Sequence, residues 1–169
     1  MKLALALLMG LIIIPTGCVT NPRGFREPIE NFDKVDDKLY RGAQPNAVGI
    51  EMLKSLGVIT VINFRDVNDS WGEEDGYVTS AGMAYVQVPL NPMIAPSQGA
   101  IERILGVISR SPGPVLVHCE FGCERTGVVV ACYRIRLLGE TNERALNDAV
   151  VHGMSAWAVS IKDFIRRFK

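Results

Sequence analysis

Between Val115 and Ile135 the chain changes character twice, and that change restricts the fold more than any other stretch. Val115-Leu116-Val117 is a short, apolar, β-branched run, the composition of a strand covered on both faces. Gly127-Val-Val-Val-Ala-Cys-Tyr-Arg-Ile135 is apolar enough for a buried helix. The junction is His118-Cys-Glu-Phe-Gly-Cys-Glu-Arg-Thr-Gly127, too short for anything but a tight loop. Cys119 then ends the strand and Arg125 stands at the helix entrance. Backbone N–H groups of residues 120 to 125 can turn inward about one point. Such a nest, backed by a helix N-terminus, binds a tetrahedral anion. The same field suits Cys119 to act as a thiolate nucleophile. Arg125 can hold two phosphate oxygens in its planar fork, and Gly122 permits the curvature. Glu120, Phe121, Gly122, Cys123, Glu124 and Arg125 are the expected phosphate-binding stretch, and phosphoryl transfer to sulfur is the chemistry that this set serves.

The rest of the chain fits such a sheet. Leu39 to Arg41 reads as a short strand and Gly42 to Pro45 as a turn. Asn46 can cap a helix over 47–55, and Val58 to Phe64 is a strand of buried composition with Arg65-Asp66 at its carboxyl end. Asp69 to Ala81, with Glu73, Glu74 and Asp75, reads as a solvated helix or lid; Trp71 is half-buried there or lines a substrate mouth. Ala84 to Val88 is the next strand and Pro89 to Pro96 a Pro-rich loop. Ser97 can cap a helix over 99–110, Thr141 another over 142–151, and Ser155 a last one that buries Trp157, Ile161, Phe164 and Ile165. His152 reads as a surface or cap histidine, and Cys123 and Cys132 as small packing residues. Alternating strands and helices give an α/β fold, a central, mostly parallel sheet of about four to five strands flanked by helices. Sites in such sheets lie beyond the strands' carboxyl ends, where Cys119 and Asp66 both fall.

The 169 residues suit one domain, and 18 acidic residues balance 18 basic ones, so nucleic acid is not an expected partner. Met1-Lys2 and the apolar run to Ile14 form an export signal, shorter than the ~20 residues of a membrane span. Thr16-Gly17-Cys18 resembles a bacterial lipoprotein box, which implies lipidation at Cys18. Residues 1–18 are then signal, 19–37 a tether and 38–169 the domain. An exported lipoprotein facing the periplasm or cell exterior follows, attached to the membrane through its N-terminal lipid. By resemblance to enterobacterial sorting, the absence of Asp after Cys18 points to the outer membrane. Three of the four cysteines remain after lipidation, an odd number that suggests reactive thiols rather than a disulfide framework.

His-Cys, five residues, Arg, Thr, Gly resembles the signature of the cysteine-dependent protein tyrosine phosphatase superfamily. Leu39-Tyr-Arg-Gly-Ala-Gln-Pro45 and Leu56-Gly-Val-Ile-Thr-Val-Ile-Asn-Phe-Arg-Asp66 extend the resemblance to small bacterial dual-specificity-like phosphatases, several of them predicted lipoproteins. The resemblance implies a dual-specificity phosphatase fold, a phosphocysteine at Cys119 and phosphoryl binding by Arg125. It further implies a loop-orienting His118 and a Thr126 hydroxyl that supports the departing thiolate. No cofactor or metal is implied. The substrate is a phosphorylated protein or small phosphomonoester.

One family element is missing. An Asp on the loop after the third strand usually protonates the leaving oxygen, but Val88-Pro-Leu-Asn-Pro-Met-Ile-Ala-Pro96 has no carboxylate. Glu124 is the first candidate acid, by similarity to phosphatases with a carboxylate just before the Arg. Glu120, Asp66 and the Glu73–Asp75 cluster stand behind it. A lipid or inositol phosphate phosphatase, a non-catalytic phosphate-binding module and a sulfurtransferase or arsenate reductase are the competing readings. Glu120 and Glu124 would repel highly phosphorylated inositols.

Overall fold

A computed structural model describes residues 27–68 and 72–169. The export signal, Cys18 and Trp71 lie outside them. Among the described residues the order is β1 (Asp33–Lys34), β2 (Leu39–Gly42), α1 (Ala47–Ser55), β3 (Thr60–Asn63), α2 (Glu74–Ser80), β4 (Ala84–Gln87), α3 (Gln98–Arg110), β5 (Val115–His118), α4 (Glu124–Leu137), α5 (Asn142–Val151) and α6 (Val159–Arg167). The strands form one sheet in the order β1-β2-β5-β3-β4. Only the β1–β2 pairing is antiparallel.

β5 occupies the middle of the sheet because every residue in it can be buried. Its period of two then sorts the core. Leu116 packs with Tyr40, Val61 and Val78 on one face. Val115 and Val117 pack with Leu39, Ile62, Ile104 and Val129 on the other. Register brings His118 opposite both Gly42 of β2 and Asn63 of β3, so the three meet at the sheet's carboxyl edge.

The expected caps form. Asn46, Ser97 and Thr141 accept from the N–H groups of Gly49, Ala100 and Arg144, each worth about 1 kcal/mol. Other expectations need correction. Residues 27–37 belong to the domain rather than to a tether. Ile29 is buried in the space left by two glycines, since a Cβ on Gly42 or Gly49 would stand 2.5 or 2.8 Å from its side chain. α2 is not a wholly solvated helix, because Glu74 and Val78 at its start and middle are fully buried. α6 begins at Val159, not Ser155, and Trp157 is 83% exposed instead of core. The stripe that docks α6 is Ile161 and Ile165, and Trp157 precedes it. Cys132 is a packing residue of α4, and burial pushes its thiol well above the usual range.

Candidate active site

Cys119 follows directly from β5, and α4 begins five residues later at Glu124. The intervening loop is shaped by its neighbours. The Gln44 N–H donates to Glu120 O at 3.1 Å, Asn31 Nδ2 to Phe121 O at 3.2 Å and Arg41 Nη2 to Gly122 O at 2.6 Å. Three successive carbonyls are thereby drawn outward. A planar trans peptide points its C=O and N–H in opposite directions, so the N–H groups of residues 121–123 turn toward the loop's inside. The α4 N-terminus adds its own unsatisfied N–H groups behind them.

Gly122 is fixed by two constraints. Its φ is +72°, and a Cβ there would lie 2.7–2.9 Å from backbone atoms of Gly42 and Ala43. The phosphate loop and the β2–α1 turn therefore touch backbone to backbone, which only glycine permits.

Arg41 and Asn31 are residues that sequence reasoning missed. Arg41 is fully buried on β2, and Nη1 lies 3.5 Å from Asp148 Oδ2 on α5. Burial lowers its guanidinium to about 10, against the opposing pull of Asp148 and Cys119. It stays cationic at neutral pH, a second positive charge beneath the loop. Its only sequence signal was its place in Leu39–Pro45. Asn31 had no signal at all, and its φ of 51° marks the turn that aims it at the loop.

The expected site residues divide into two groups. His118, Cys119, Arg125 and Thr126 come together with little or no exposure, and Arg125 keeps 6%. The Thr126 hydroxyl is buried with no hydrogen-bond partner among the described residues. Phe121 is 46% exposed at the loop's outer side. Glu120, 39% exposed, places Oε2 3.8 Å from Arg125 Nη2. Glu124 is half-buried, and its Oε1 accepts from Ser155 N–H at 3.2 Å. Asp66 is exposed after β3 and closes a local turn, accepting from Asn68 N–H and Nδ2. On the Pro-rich loop, Asn91 Oδ1 accepts from the N–H groups of Met93 and Ile94. His152 caps α5, with Nδ1 2.9 Å from Asp148 O.

This arrangement can bind a tetrahedral dianion against inward N–H groups and Arg125, with a sulfur at its base. The sequence profile of the family described as DSP-PTPase phosphatase fused to NAD+ kinase matches residues 23–167. The dual specificity protein phosphatase TpbA of Pseudomonas aeruginosa (strain UCBPP-PA14) is 34% identical over 128 residues, 72% of this chain and 54% of the relative. The chain thus spans about half the length of that curated relative. The crystal structure of P. aeruginosa TpbA superposes with a TM-score of 0.72 at 26% identity, covering 84% of this chain and 87% of that one. The core catalytic domain of the PP-IP phosphatase Siw14 from S. cerevisiae shares the fold, with a TM-score of 0.75 at 19% identity over 85% of this chain and 88% of that one.

Proposed function

The chain belongs to the DSP-PTPase phosphatase family, and from that premise we propose that it hydrolyses phosphate monoesters through a phosphocysteine at Cys119. The observation that carries the reading is the loop itself: a buried sulfur at a strand end, inward N–H groups and the Arg125 fork. Arg125 and the N–H groups bind three phosphoryl oxygens. The Cys119 thiolate attacks phosphorus as the ester oxygen departs. Water then cleaves the P–S bond, releasing phosphate and regenerating the thiolate; the buried Thr126 hydroxyl, without a hydrogen-bond partner among the described residues, is free to turn toward it. Phosphotyrosine and other phosphoprotein side chains are the preferred class, in keeping with the dual-specificity name of the TpbA relative. Glu120 and Glu124 make the loop a poor receptor for highly phosphorylated inositols, which disfavours that alternative.

The leaving oxygen needs a proton. Of the two loop carboxylates, both half-buried, Glu120 faces Arg125 whereas Glu124 is bound to Ser155. Glu120 is the better-placed donor once bound phosphate displaces it from Arg125.

Turnover of phosphopeptides, inositol phosphates and phospholipids by wild type and Cys119→Ser tests the reading. The wild type should prefer phosphotyrosine peptides, and the variant should lose ~10⁴-fold or more in kcat while still binding inorganic phosphate. Undiminished turnover in the variant would end the proposal. We propose further that residues 1–18 direct export and that Cys18 carries lipid. A fatty-acid analogue should label the wild type and not Cys18→Ala; equal labelling rejects it.

A further inference from the structure

Glu74 is a buried charge that the mechanism above leaves unused. It opens α2 with no exposure, on the sheet face that also carries His118 and Asn63. Those two are register partners across β3 and β5, so their side chains project to the same side. His118 Nε2 lies 2.9 Å from Glu74 Oε1, although its N–H does not point squarely at the oxygen. Asn63 Nδ2 donates to Glu74 Oε2 at 2.8 Å, and the Tyr85 hydroxyl donates to the same oxygen at 3.2 Å. Burial, with Glu74 itself adding to it, pushes the Tyr85 phenol up to about 12, so it remains a donor. Asn63 is held in turn, its Oδ1 accepting from Arg65 N–H at 2.8 Å.

A carboxylate without exposure is costly unless donors surround it. Here Asn63 and Tyr85 occupy Oε2, which leaves Oε1 to His118. An ionised carboxylate oxygen only accepts, so Nε2 can bond it only as an N–H donor. The other ring nitrogen, Nδ1, lies 3.4 Å from Cys119 O, the first carbonyl of the phosphate loop. A carbonyl oxygen only accepts, so Nδ1 bonds it only as a second N–H; in that doubly protonated form the ring ties Glu74 to the peptide that carries the nucleophile.

We propose that Glu74 is a positioning residue for the phosphatase reaction: it holds His118 with Nε2 protonated, and through His118 sets the start of the phosphate loop. This rests on the phosphatase reading, but its test does not depend on it alone. In ¹⁵N-histidine spectra of the wild type near neutral pH, Nε2 of His118 should bear a proton; an unprotonated Nε2 overturns the proposal without any variant. Glu74→Gln should alter that signal. It should also lower kcat on a phosphotyrosine peptide by ~10-fold or more with KM within ~2-fold, the scale on which loss of an orienting partner acts. Tyr85→Phe keeps the Glu74–His118 contact and should leave the signal in place. If Glu74→Gln folds poorly, a double-mutant cycle in the His118→Asn background decides, since Glu74→Gln should add little there. An unchanged His118 signal in Glu74→Gln, or a full additional loss in the His118→Asn background, means that Glu74 serves packing alone. Absence of wild-type turnover and of inorganic phosphate binding would instead defeat the phosphatase reading, while the spectra still judge the contact.

Discussion

Two loops meet the substrate side of the sheet, and they are built on opposite principles. The phosphate loop, 118–124, is mostly buried and fixed from several directions, by Arg41, Gln44, Asn31 and a glycine pressed against a neighbouring backbone. The loop from Val88 to Pro96 has an exposed tip, with Met93 and Ile94 each 62% accessible. Its start is tied to the sheet by Val88 and Leu90 N–H groups, which donate to Asn63 O and Phe64 O, whereas a local turn at Asn91 and a bond from Ser160 Oγ to Met93 O, at 3.1 Å, hold the tip. The difference separates the two demands of the proposed reaction. Stabilising the transferred phosphoryl group needs preorganised dipoles and a fixed cation, which must be bound before the charge develops. Proton donation needs a single group within reach, and it can be supplied from elsewhere.

The largest expected effect lies in the rigid loop. Arg125→Lys replaces a planar fork with a point charge and should lower kcat on phosphotyrosine by ~10²–10³-fold, the worth of an oriented donor at developing charge. Retention of wild-type kcat would mean that Arg41 and the N–H groups suffice. Next comes the acid. Glu120→Gln should slow phosphotyrosine ~10²-fold, the usual scale of general acid catalysis, and scarcely affect a nitrophenyl ester with its better leaving group. Glu124→Gln should show no such dependence on the leaving group, because it is held by Ser155. Pre-steady-state rates of phosphocysteine formation on both substrates measure this. The reverse ranking would restore Glu124.

Gly122→Ala should cost about 1–3 kcal/mol in urea unfolding and weaken inorganic phosphate binding, since the Gly42–Ala43 peptide leaves a methyl group nowhere to go and the φ is positive. The smallest effect belongs to the open loop. Asn91→Asp would supply the carboxylate that the loop lacks, but the N–H groups of Met93 and Ile94 would hold it as an acceptor. Phosphotyrosine turnover should stay within ~2-fold of wild type. A large gain would show that the open loop lacks only a proton donor.

Part of this protein was determined by local sequence. Strand β5, the phosphate loop and α4 are contiguous, so residue order alone fixed which side chains of Cys119, Arg125 and Thr126 could converge. Caps at Asn46, Ser97 and Thr141 were legible for the same reason, since each satisfies an N–H three residues away. Other features came only from packing. Arg41 reaches a loop carbonyl 81 positions along the chain and Asn31 one 90 positions along, separations that no periodicity reports. Glu74 sits in an acidic run that reads as solvent-facing, and only the register of Asn63 with His118 gives it buried donors. Trp157 reads as core by type, but the start of α6 leaves it outside. Glu120 and Glu124 have the same chemistry and lie in the same loop. A distant N–H at Ser155 engages one and the other stands beside Arg125, because a carboxylate takes whichever donor the folded chain presents.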